Sequence, residues 1–234
     1  MTGPSHGVTR PSMWSKRRSM PTATVPANRR STIERADVMA AALVLLIGGP
    51  LVFTFASAFR DGETRRHEAP LRALFGSSVY DQLMRGDAIP QNYLGNDRLA
   101  PDFTLRDQEG NDWNLRAHRG HVVVLNFWTV TCGPCVEEMP TLVDLSRIAA
   151  ERGDMELVTV SVDHSWGDVR TVVPSDAPLR VLLDADRHVT RDLFGTRLFP
   201  ETWIIDPRGV VRARVDGARD WASGIAQDAI RSFL

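Results

Sequence analysis

At 234 residues and 43 % apolar content, the chain is long and apolar enough for one folded domain plus extra segments, which excludes wholesale disorder. Its 28 basic and 29 acidic residues nearly cancel, so no net field would gather nucleic acid. The two cysteines, Cys132 and Cys135, lie too close together to frame a fold, so the core must rest on burial alone.

Residues 1–37 are rich in Pro, Ser, Thr and Arg and show no apolar period. Arg10, Lys16, Arg17, Arg18, Arg29, Arg30 and Arg35 are opposed only by Glu34 and Asp37. Such a stretch buries too little to offset its ordering entropy, so it reads as a disordered basic tail. Val38 to Phe59 then runs without a charge, long enough for a membrane-spanning helix of about 20 residues. The basic N-terminal flank puts the tail in the cytoplasm and everything after Phe59 on the far side of a cell inner membrane. A cleaved signal is the rival reading: Ala56-Ser57-Ala58 fits a small-x-small site, and Arg29-Arg30 a weak twin-arginine signal. The long tail and long apolar run favour an uncleaved anchor over 38–59, and both readings export the rest of the chain.

Residues 60–98 read as a linker, a spacer holding one possible amphipathic helix with irregularly spaced apolar residues (Leu71, Leu74, Phe75, Tyr80, Leu83, Met84) and broken by Gly76, Gly86, Pro90 and Gly95; a short helix docking on the domain is the alternative. The folded domain is expected over 99–234. Phe103–Leu105 and Trp113–Leu115, joined by a turn at Asp107–Gly110, predict a hairpin. Val122 to Trp128 is a buried strand, and Pro134 to about Arg152 a helix stopped by Gly153. Met155–Val162 is a strand, Asp168–Val173 a short helix, Leu179–Leu183 a strand and Arg187–Phe194 a helix closed by Gly195. Thr202–Ile205 and Val210–Val215 form a closing hairpin, and Trp221–Phe233 a last helix. The alternation predicts an α/β fold, a central mixed sheet flanked by helices.

The chemistry sits in Cys132-Gly133-Pro134-Cys135, between the apolar strand and the helix. Disulfide exchange needs one thiol available as thiolate and a second near enough to resolve the mixed disulfide. Cys132 would stand at the helix N-terminus, where free backbone N–H groups and the helix dipole favour a negative sulfur. Cys135 lies one turn further in and would be the resolving thiol. Pro134 suits the first turn because it has no N–H to lose there. Glu138, three residues after Cys135, shares its helix face and is the candidate acid–base; neighbouring Glu137 reads as a solvated carboxylate.

Other uses of C-x-x-C are weaker. Structural zinc wants about four ligands, and no second Cys or Cys/His pair exists. A c-type haem site wants His where Val136 stands. The six histidines, His164 and His188 included, show no ligand spacing. No metal and no cofactor is therefore expected.

From Ala100 to about Asp220 the chain resembles the TlpA/ResA-like, membrane-tethered thiol–disulfide oxidoreductases of the thioredoxin superfamily. The matching pieces are Ala100–Leu105, Gly110, Gly120, Val124–Trp128 leading into Cys132–Cys135, Glu138-Met-Pro140, Phe199–Asp206 and Gly209. The resemblance implies a thioredoxin-like fold with an added N-terminal β-hairpin. It implies a redox-active Cys132–Cys135 disulfide, and a cis-proline at Pro200 that shapes a substrate groove with Phe199, Thr131 and Trp128. Gly133, Pro134 and Asn126 would support the site. Asn126 stands where cytoplasmic thioredoxins carry a buried aspartate; an amide takes no proton, which shifts that role to Glu138. Thr131 departs from the pattern, because the family usually has Trp before the first Cys.

The implied activity is reduction of disulfides in oxidised envelope proteins, as in cytochrome c maturation or copper-site assembly, with electrons from a membrane-embedded thiol–disulfide transporter. Two alternatives remain at this stage. A peroxiredoxin-like peroxidase would use Thr129, three residues before Cys132, but wants proline where Leu125 stands. A Cu(I)-delivery module would use the dithiol as a soft ligand pair.

Overall fold

The computed structural model describes residues 35–89 and 91–234; the disordered tail expected over 1–37 falls almost wholly outside them. The chain divides into two units, Met1–Phe53 and Thr54–Leu234.

Helix α1 (Arg35–Leu43) of the first unit passes through a π-helical turn, Val44–Gly48, into α2 (Gly49–Phe75). Pro50 has no N–H and its ring crowds the carbonyl four residues back; the widened turn just before it absorbs that conflict. Leu45, Leu46 and Phe53 are each more than 70 % exposed. Asp37–Ser57, 21 residues of mean hydropathy 2.3 with none buried, is long and apolar enough to cross a membrane.

The second unit is built on a six-stranded mixed sheet. Its strands are β1 (Tyr93–Leu99), β4 (Val122–Trp128), β5 (Met155–Ser161), β6 (Arg180–Leu183), β7 (Glu201–Ile205) and β8 (Val210–Asp216), in the order β1-β8-β7-β4-β5-β6. β4, β5 and β6 run parallel, while β7, β8 and β1 add antiparallel partners on the other side. β4 is central and buried along its whole length, which explains its apolar run, broken only by Asn126. Side chains alternate across a strand. Val122, Val124 and Trp128 therefore enter one core, and Val123, Leu125 and Phe127 the other.

Helix α4 (Gly133–Arg152) covers the first core with Met139, Leu142, Leu145 and Ala149, joined by Ala226, Ala229 and Ile230 of α5 (Gly224–Arg231). On the other face lie Phe103, Trp113 and Leu115 from around the antiparallel pair β2 (Thr104–Arg106) and β3 (Asp112–Asn114). That pair also guards an open sheet edge. Gln108 in its turn donates to the Leu179 carbonyl and accepts from the Val181 N–H, both at 2.9 Å, beside β6.

The stretch 60–98, expected as a linker, is more than a spacer. Leu74 and Phe75 of α2 and Tyr80 of α3 (Ser77–Met84) are buried in the first core, and β1 pairs antiparallel with β8. Its sequence, Tyr-Leu-Gly-Asn-Asp-Arg-Leu, reads as loop because Gly, Asn and Asp break any alternation. The register shift between Leu94 and Arg98 accommodates those residues while the backbone still satisfies the edge of β8. The last helix is also shorter than expected. Ser223 caps it, its side chain accepting the Ala226 N–H, which leaves Trp221 in the preceding loop.

Candidate active site

Cys132 and Cys135 form a disulfide, with 2.11 Å between the sulfurs and 5.2 Å between the Cα atoms. Cys132 is the N-cap of α4, and its sulfur accepts the Cys135 N–H at 3.2 Å. The helix dipole and this donor both stabilise negative charge on that sulfur, so Cys132 has the environment of an attacking thiolate. Cys132 is half-buried, whereas Cys135 is wholly buried against the core. Gly133 and Pro134 between them are exposed.

One turn beyond Cys135, Glu138 is buried too, only 3 % exposed. Three donors hold its carboxyl. Asn126 Nδ2 reaches Oε1 at 2.9 Å, while the Arg219 backbone N–H and the Trp221 indole reach Oε2 at 3.1 and 3.0 Å. Burial raises its pKa above the ordinary glutamate range, although all three donors pull the other way. A buried carboxyl that keeps its proton to higher pH, on the helix face of the resolving cysteine, is equipped to pass that proton on. Asn126 is the one polar side chain in β4; besides Glu138 it donates to Thr202 Oγ1 at 3.0 Å.

The Phe199–Pro200 peptide bond is cis, the isomer that the family resemblance implies. The Pro200 ring is buried and its carbonyl accepts the Gly217 N–H at 2.9 Å, so this loop presents the exposed Leu198 and half-buried Phe199 outward. Thr131 is exposed beside Cys132. Trp128 requires a correction. Expected to line the groove, it is wholly buried in the first core, because strand alternation turns it to the same side as Val122 and Val124.

Four participants escaped the sequence reading. Arg219 and Trp221 meet Glu138 across 81 and 83 residues of chain, a separation with no local signature. Asp163 accepts from Thr129 Oγ1 at 2.6 Å and from Ser161 Oγ at 2.7 Å, and so ties down the loop before Cys132. Glu201, which follows Pro200, is 1 % exposed and ion-paired with Arg214; burial, opposed by Arg214, raises its pKa. A charged residue between Pro200 and the predicted strand Thr202–Ile205 was the available hint. With Cys132 and Cys135 joined as a disulfide, the Thr129 hydroxyl donates to Asp163.

A helix-capping, half-buried cysteine bonded to a buried partner, on a sheet of this order, defines a thioredoxin-like thiol–disulfide oxidoreductase. Residues 97–214 match the AhpC/TSA family. The chain is 33 % identical over 119 residues to the thiol–disulfide oxidoreductase ResA of Geobacillus thermodenitrificans, covering 50 % of this chain and 67 % of that one. Against ResA of Bacillus subtilis strain 168 the identity is 33 % over 144 residues, covering 61 % and 76 %. Among solved structures, a Chlorobium tepidum protein assigned as the thiol:disulfide interchange protein DsbE superposes with a TM-score of 0.52 at 27 % identity, over 60 % of this chain and 99 % of that chain. The chain belongs to the AhpC/TSA family and, within it, to the ResA-like thiol–disulfide oxidoreductases, enzymes that reduce disulfides in protein substrates.

Proposed function

We propose that this is a membrane-anchored disulfide reductase of the cell envelope, held by the apolar helix with its catalytic domain on the extracytoplasmic side. A helix whose apolar side chains all face outward needs an apolar solvent, which supports the anchor. Substrates would be oxidised envelope proteins, with apocytochrome c and copper-site proteins as the family precedents. A membrane-embedded thiol–disulfide transporter would supply fresh electrons.

The burial contrast within the dithiol carries this reading. In the reduced enzyme the Cys132 thiolate attacks one sulfur of the substrate disulfide. A mixed disulfide forms and the second substrate sulfur leaves as thiolate. Cys135 then gives its proton to ionised Glu138 and attacks Cys132 Sγ. The Cys132–Cys135 bond closes and the first substrate sulfur leaves, taking up that proton. Two electrons and one proton move from enzyme to substrate. Two external electrons and one proton restore the Cys132 thiolate and the Cys135 thiol.

Cys135→Ala in the native envelope tests this. Cys132 can still attack but nothing resolves the adduct, so covalent partner complexes should accumulate. An absence of complexes, together with a purified protein that fails to equilibrate with a glutathione or dithiothreitol buffer, overturns the reading. Labelling of cysteines introduced after residue 59 by an impermeant maleimide on intact cells tests the orientation.

A further inference from the structure

The loop before Cys132 carries a chain of hydrogen bonds that ends at the surface. Thr129 to Cys132 is a tight turn closed by the Cys132 N–H on the Thr129 carbonyl at 3.1 Å, with Val130 and Thr131 at its corners. Asp163, 7 % exposed, anchors it from beneath. Its Oδ1 accepts the Thr129 hydroxyl at 2.6 Å, and its Oδ2 accepts the Ser161 hydroxyl at 2.7 Å and the Val130 N–H at 3.0 Å. Thr129 Oγ1 and Thr131 Oγ1 are 3.3 Å apart.

Proton accounting sets the direction of that last contact. A hydroxyl has one proton and two lone pairs. Thr129 has given its proton to the Asp163 carboxylate, so Thr131 must be the donor in the contact between the threonines. Thr131 then has no proton left. What it presents, on an exposed corner next to the attacking sulfur, is lone pairs only.

We propose that Thr131 is a specificity-determining hydrogen-bond acceptor that takes the backbone N–H of a residue flanking the attacked cysteine of the substrate. Asp163 and Thr129 act as positioning residues. Every protein cysteine has amide N–H groups beside it, so the contact suits an enzyme acting on more than one protein. It replaces an apolar lip with a directional one. The proposal rests on the disulfide-reductase reading and adds to it what the site recognises around the sulfur.

The test uses disulfide peptides N-methylated at the residue before or after the attacked cysteine, beside the unmethylated parent, with the reduced protein as electron source. The wild type should reduce the parent about five- to tenfold faster in kcat/KM than one of the two methylated peptides, the worth of one neutral hydrogen bond. The difference should lie in KM. In Thr131→Val, matched in shape but without the hydroxyl, the preference should fall to about one, and Thr131→Ser should restore it. Thr129→Val, which leaves Thr131 in place but cuts the chain, should weaken the preference. If the wild type treats all three peptides alike, or if Thr131→Val keeps the preference, the proposal is overturned while the reductase reading stands. If the wild type reduces none of them, the reductase reading itself fails.

Discussion

Asn126 Nδ2 donates to Glu138 Oε1 across 2.9 Å, and both side chains are shut away from water. An amide stands here against a carboxyl that burial makes reluctant to ionise. The Asn126 carbonyl oxygen is buried without a hydrogen-bond partner, while its NH₂ serves both Glu138 and Thr202. When Glu138 is ionised, the NH₂ suits it. When Glu138 is protonated, a half-turn of the amide would present that spare oxygen to the acid proton. Asn126→Leu removes both options. It should slow resolution of the mixed disulfide about tenfold or more and flatten its pH dependence, whereas Asn126→Gln should do so less. Stopped-flow decay of a preformed mixed disulfide reads both effects.

Glu138→Gln should slow the same step about a hundredfold, the lower range for a lost acid–base group. The side-chain NH₂ it introduces faces the Arg219 and Trp221 donors in one orientation; in the other it meets Asn126, whose half-turn offers the spare oxygen as acceptor. The rate should therefore fall much more than the stability read from the urea midpoint.

Stability should also vary with pH in a defined direction. Burial raises the native pKa of Glu138 and of Glu201 above the ordinary value of about 4.5. In the window between that value and the raised native one, the folded protein binds more protons than the unfolded chain. These two groups thus contribute full stability below about pH 4.5 and lose it as pH rises through their native pKa values. Thermal melts from pH 5 to 8 should show the decline, and Glu138→Gln should make it shallower. A steeper or unchanged slope would contradict the assignment.

Trp221→Phe keeps most of the buried ring but removes the indole donor that favours the ionised form of Glu138. The pKa of Glu138 should rise, and the pH profile of resolution should move to higher pH with it. Infrared difference spectra of the protonated carboxyl across a pH series give an independent reading of the same shift.

Arg214→Met should strip Glu201 of its ion-pair partner, and Trp203 of the guanidinium that lies over its ring. Arg214 is 15 % exposed and Glu201 1 %, so a buried charge is left alone, at a cost of about 3 kcal/mol. Adding Glu201→Gln should recover part of that loss in a double-mutant cycle.

The reaction class was legible because its signals are local. A charge-free run ending in Trp128, a C-x-x-C and a proline at the first helical turn together specify strand, turn and capped helix within about 30 residues. Periodicity likewise marked α4. Glu138 was found because helix geometry puts it one turn from Cys135. Trp128 was misplaced because its neighbours in sequence are catalytic, whereas its neighbours in space are the core. β1 was missed because an edge strand needs only backbone pairing and so leaves no apolar alternation.

The sequence by itself determined that this protein exchanges disulfides, and through which two sulfurs, since dithiol chemistry depends on residues within one helical turn. Only the tertiary structure decided how Glu138 is held and what anchors the turn before Cys132. Those depend on donors and acceptors brought from 34 to 83 residues away, to Thr129 by Asp163 and to Glu138 by Arg219 and Trp221. Hydrogen bonds between segments that distant are fixed by packing, and packing leaves no periodic trace in the chain.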